Sequence, residues 1–101
     1  MFNGIFGKNE GMYVMTVFWD YDVDINDLMT DLEVVGQLMC RPAAIKKGCR
    51  IDTVRDWKIN DTNYRTAELY VDKNTEKIIR ELTTEKKFVA VKFTETCMTK
   101  S

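Results

Sequence analysis

From Gly11 onward the chain alternates. Tyr13, Met15, Val17, Trp19, Tyr21 and Val23 fall on one side, and Met12, Val14, Thr16, Phe18, Asp20 and Asp22 on the other. Successive side chains of a strand point to opposite faces, so this pattern predicts a strand with one apolar, core-facing side. The opposite side turns acidic toward its end. At Asp24 the period changes. Ile25, Leu28, Met29, Leu32, Val35, Leu38 and Met39 recur at three- and four-residue steps, the stripe of an amphipathic helix. Asp24 suits the N-cap and Asp27 the positive first turn. Pro42 closes the helix, because it disfavours helical geometry at Arg41.

The segment CRPAAIKKGCR, Cys40 to Arg50, reads as a basic loop turning at Gly48. Cys49 to Ile59 reads as a strand, with Ile51, Thr53, Trp57 and Ile59 among its alternating positions. NDTN, Asn60 to Asn63, is turn chemistry, and a strand from Tyr64 to Val71 completes a hairpin. Ala67, Leu69 and Val71 are expected to face the core; Tyr64, Thr66, Glu68 and Tyr70 are expected to face out. A second helix begins near Asn74 or Thr75 as cap, with Ile78, Ile79 and Leu82 as its apolar stripe. TTEKK breaks it. A last strand places Phe88, Ala90, Lys92 and Thr94 opposite Val89, Val91 and Phe93.

Strand, helix, strand, strand, helix, strand is the order of a ferredoxin-like, split βαβ arrangement. That is an α+β fold with a four-stranded antiparallel sheet and two helices on one face. The competing arrangement is a looser α+β domain in which Phe2 to Phe6 adds a strand. A chain of 101 residues with 45% apolar residues supports one core. Residues 1–10 read as a tail, 11–98 as one domain and 99–101 as a second tail.

Charge changes this picture in two ways. The net charge is only -1, whereas a general nucleic-acid binder is usually clearly basic. The charges are also segregated. Phe18 to Gly36 holds six acids and no base, and Arg41 to Lys58 holds six bases against two acids. Such a division can steer a partner even near neutrality. No apolar run approaches the ~20 residues of a membrane span, and the N-terminus lacks the pattern of a signal peptide. Three cysteines, an odd number without paired spacing, fit a reducing cytoplasm.

The aspartates invite a metal reading, since Asp20, Asp22 and Asp24 are spaced two apart and Asp31 stands where a calcium loop ends. That loop needs glycine after its third aspartate, and Ile25 is there instead. Asp24 to Asp31 also fits the first turns of a helix, a path that cannot wrap an ion. Capping and a solvated face account for these acids, with no metal or cofactor expected. The absence of histidine removes the commonest general base and metal ligand. Cys40, Cys49 and Cys97, with no histidine to activate them, read as small buried thiols. No catalytic residue is assigned.

The expected function is that of a small, cytoplasmic, non-catalytic interaction module, of the kind found among phage and viral accessory products that inhibit a host protein. Asp20, Asp22, Asp24, Asp27, Asp31 and Glu33 form its steering surface, and Trp57, Tyr64 and Tyr70 its anchors. A homodimer through the sheet face would also cover the outward aromatics, which a soluble monomer seldom leaves bare. The alternative is nucleic-acid or nucleotide binding through Arg41, Lys46, Lys47 and Arg50 and the aromatics Phe18, Tyr64, Tyr70 and Phe88. The basic loop lacks phosphate-loop glycines, and the strands lack the signature of RNA-recognition domains. A dimeric small-ligand sensor ranks third.

Overall fold

Alternation along Met12–Asp20 does make a strand, β1. The computed structural model of the chain describes residues 12–97. After β1 come α1 (Ile25–Met39), α2 (Pro42–Lys47), β2 (Arg50–Ile59), β3 (Thr62–Asp72), α3 (Lys73–Thr84) and β4 (Lys92–Cys97). The fold is α+β, with three helices and one antiparallel sheet of four strands in the order β2-β3-β1-β4. β1 and β2 both pair with β3, so they run parallel with β3 between them. In the same way β3 and β4 flank β1. The expected tails, and the docking of Phe2, Ile5 and Phe6, lie outside the described residues.

The core lies between the sheet and the helices. Met15, Val17 and Trp19 of β1 meet Ala67, Leu69 and Val71 of β3, with Leu28, Val35 and Met39 of α1 and Ile79 of α3 packed over them. Each such fully buried aliphatic side chain contributes about 1.5–3 kcal/mol. Asp24 caps α1 as its sequence suggests, accepting the Asn26 N–H at 2.8 Å.

Several elements differ from expectation, each for a local reason. β1 stops at Asp20, and Tyr21 and Asp22 lie in a turn closed by Val23 N–H to Asp20 O at 3.0 Å. Pro42 does not leave a plain loop behind it. It opens α2 at the first helical position, where its missing N–H costs nothing, and Gly48 ends α2 in the left-handed region at φ 91°. The cap of α3 is Asp72, not Asn74 or Thr75; its carboxylate accepts the Thr75 N–H at 3.0 Å. The last strand begins at Lys92, and Phe88 is buried in the core, away from the open sheet face. The hairpin turn is a two-residue one. Asn60 and Asp61 both take positive φ, 52° and 65°, the backbone that matches the twist of paired strands.

β2 holds the largest departure. Ile51 pairs with Leu69 and Thr53 with Glu68, so Asp52 is an extra residue in a bulge. One extra residue reverses the facing of everything after it. Ile51 lies on the helix side, but Thr53, Trp57 and Ile59 lie on the open side with Glu68 and Tyr64.

Asp31 is the other departure. It is only 3% exposed and cannot belong to an acidic surface. Its Oδ2 accepts the Trp19 Nε1–H at 2.7 Å and the Val89 N–H at 2.8 Å. One oxygen thus ties β1, α1 and the α3–β4 connection together. Asp31→Ala is expected to strand both donors indoors and cost about 3 kcal/mol. Asp31→Asn, which still offers an oxygen, should lose about half as much. Urea midpoints measure both, and an unchanged midpoint for Asp31→Ala would contradict the assigned role.

Candidate interaction surface

The end of β1, the turn after it and the start of α1 gather the remaining acids. Asp20, Asp22, Asp24, Asp27 and Glu33 are all exposed. Among the described residues Asp20, Asp22, Asp27 and Glu33 form no ion pair. The register brings two of the three aromatic candidates to the same end. Asp20 lies opposite Tyr64, and Tyr64 lies opposite Trp57 on the next strand. Trp57 is 41% exposed. The hairpin overhangs here, because β1 ends opposite Tyr64 while β2 and β3 pair on to Ile59 and Thr62. Tyr70 is at the other end, opposite Val14 and Arg50, so it does not join this group.

The open face is covered by its own cations. The Arg50 guanidinium stands 4.1 Å over the Tyr70 ring, and that of Arg55 stands 4.2 Å over Trp57. Lys92 lies over both Phe18 and Tyr64 at 5.4 and 5.2 Å, and those two rings meet edge to face. Arg55 also pairs with Glu68 at 3.1 Å. Each cation–π contact at such exposure is worth about 0.5–1 kcal/mol. These stacks shield rings that the alternating pattern leaves outside, and Phe18 is buried beneath them.

The basic candidates do not converge. Arg41 turns inward, donating from Nε to Leu38 O at 3.1 Å and from Nη2 to Thr75 Oγ1 at 2.8 Å. Lys47 reaches Asp72 at 3.7 Å, and Arg50 is on the open face above Tyr70. Lys46 is exposed on α2.

Arg41 and Lys47 instead belong to a polar knot below α3. The buried Cys49 thiol donates to Asp72 Oδ1 at 3.6 Å, with Thr75 Oγ1 at 4.0 Å. Burial pushes the Cys49 thiol up, and the Asp72 carboxylate adds to this, against the lowering effect of the Asp72 N–H. A thiol held protonated in this way is a donor and a poor nucleophile. Burial alone would raise Asp72. Hydrogen bonds from the Thr75 hydroxyl and N–H and from Cys49, with the Lys47 charge, outweigh it and hold the carboxyl below its ordinary value. Among the described residues no group of three His, Cys, Asp or Glu side chains could hold a metal ion, and no helix is long and apolar enough to cross a membrane.

Two features of the surface escape the alternating pattern. Ile25 and Met29, counted in the core stripe of α1, are exposed. The bulge that sends Trp57 outward has no mark in the sequence beyond an aspartate within a strand. No protein-family model matches the chain, and no curated protein sequence matches it.

A carboxyl lowered by folding stabilises the native state above its unfolded value near pH 4 and loses that contribution as the pH falls through the lower, folded value. Asp72→Asn is therefore expected to flatten the fall of the urea midpoint between about pH 4 and pH 2. Iodoacetamide mapped by mass spectrometry should label the exposed Cys40 at least about tenfold faster than Cys49. Equal rates would refute the knot.

Proposed function

We propose that the chain is a small, non-catalytic protein-interaction module, built on a ferredoxin-like fold and working in the cytoplasm. Support for the fold type is the interleaving of its halves, in which each strand–helix–strand unit leaves a gap filled by a strand of the other half. The observation that carries the function is the join between unpaired carboxylates and aromatic anchors. Asp20 lies opposite Tyr64, which lies opposite the exposed Trp57, and Asp22 follows in the turn at the same end of the sheet. Carboxylates without internal partners raise the approach rate of a basic surface, and a half-exposed tryptophan supplies contact energy once it arrives. The reading extends to an inhibitor of a host protein of the phage and viral accessory kind, on size and surface character alone.

A second reading has one observation in its favour. Arg50, Arg55 and Lys92 over the rings of the open face form a surface on which unpaired bases could stack. Against it stand Glu68 within that face and the dispersal of Arg41, Lys46 and Lys47.

Two measurements separate the readings. Capture from host lysate by the immobilised chain is expected to yield a defined protein, lost in the Asp20→Lys, Asp22→Lys double variant. Trp57→Ala should weaken it by about 2 kcal/mol, or roughly thirtyfold. Single-stranded RNA is expected not to bind. RNA affinity that falls steeply with salt and disappears in Arg50→Glu, Arg55→Glu would replace the first reading with the second.

A further inference from the structure

α1 carries two apolar stripes. Leu28, Val35 and Met39 are buried against the sheet. Ile25, Met29, Leu32 and Gly36 form the second, within about 60° of arc on a helical wheel. Ile25 and Met29 are 56% and 57% exposed. An open hollow of about 600 Å³ adjoins this stripe at Met29 and Leu32, with Asn26, Thr30 and Glu33 on its other side.

Gly36 sets this flank apart from ordinary exposed apolar surface. A glycine inside a helix is costly relative to alanine. Here a Cβ would meet nothing within 4 Å among the described residues, and the backbone is not at positive φ. Neither crowding nor strain within the described residues calls for glycine. Its missing Cβ does suit the close approach of another backbone.

The flank also has a direction and a sign. Asp31, on the opposite side of the buried stripe, reaches toward Val89 in the α3–β4 connection. The second stripe is therefore on the side of α1 turned away from α3. α1 packs over β2, whose helix-facing Val54 is also 52% exposed. Glu33 borders the groove, Asp22 stands in the turn before α1, and no base occurs from Phe18 to Gly36, while Arg65 of β3 donates to Tyr21 O in that turn at 3.1 Å. The complement is an apolar stripe with positive flanks.

We infer that this flank of α1 is a docking groove for a basic amphipathic helix of a partner protein. Its apolar residues cover Ile25, Met29 and Leu32, its lysines or arginines meet Glu33 and the acids at the helix start, and its backbone comes closest at Gly36. This inference rests on the protein-binding reading above and names the partner's chemistry.

The test titrates a fluorescein-labelled peptide of leucines and lysines, its leucines at helical spacing, into the full chain. A matched peptide with glutamate in place of lysine is the control. The lysine peptide is expected to bind, and the glutamate peptide to bind at least about tenfold more weakly. Met29→Asp, an exposed substitution that leaves the core intact, should cost the lysine peptide about tenfold. Gly36→Ala should raise Tm by roughly 4 °C while weakening the peptide about threefold. That pair of opposite effects is not expected of a merely structural glycine. Binding that is unchanged in Met29→Asp or in Gly36→Ala overturns the inference. So does a solution mass of two copies that falls to one in Met29→Asp, because the occupant would then be a second chain. Loss of peptide only in Asp20→Lys, Asp22→Lys sinks the groove and leaves the acidic end standing. Lysate capture that survives those two lysines, beside peptide loss in Met29→Asp, does the reverse.

Discussion

A carboxyl group is costly to bury unless donors meet it, and at the centre of this molecule Asp31 Oδ2 accepts from two. Its two donors come from an indole on β1 and a backbone amide before β4. Trp19 is fully buried, so its N–H needs a partner inside the protein. The connection through Val89 has left α3 and not yet joined β4, so its amide has no ladder partner on offer. One side chain on α1 satisfies both, and in doing so sets the height of α1 over the sheet. The apolar residues around it fill space, but they do not by themselves specify which turn of α1 stands above Trp19.

The cost of that arrangement falls on the surface. With Asp31 drawn inward, the buried side of α1 is Leu28, Asp31, Val35 and Met39. Ile25 and Met29 are rotated out, although they belong to the same apolar pattern. The acids that remain outside are concentrated at the end of the sheet where the hairpin overhangs, and the cations of β2 and β4 spread over the open face. The molecule thus has a group of exposed acids at one end and a face of stacked cations and rings that reaches the same end through Arg55 and Lys92. Its polar knot at Cys49, Asp72 and Thr75 is buried away from both.

Much of this was legible in residue order. Alternation in β1 and β3, the Asp24 cap and the four-strand, antiparallel plan follow from periodicity and capping chemistry that act within a few residues. The parts that were not legible depend on partners far along the chain. Asp31 looks like one more surface acid until Trp19 and Val89 are placed beside it. Asp72 caps α3 because β3 runs directly into the helix, which a search for a cap after the strand overlooks. α2 is short, and its basic, proline-led composition suits a loop equally well. Of the candidate surface, Asp20, Asp22, Tyr64 and Trp57 come together, whereas Tyr70 and the basic quartet are scattered by the register.

The bulge at Asp52 has a consequence for how this chain tolerates change. Side chains along the outer half of β2 are exposed, and most are free to vary in chemistry. The number of residues is not free. Loss of Asp52 itself would only straighten the strand, since Thr53 would still lie opposite Glu68, but one residue gained or lost between Thr53 and Trp57 would turn the side chains beyond it to the wrong face. Variation beyond Thr53 is therefore permitted by substitution and penalised by insertion or deletion, so that length, more than composition, is what its descendants must inherit.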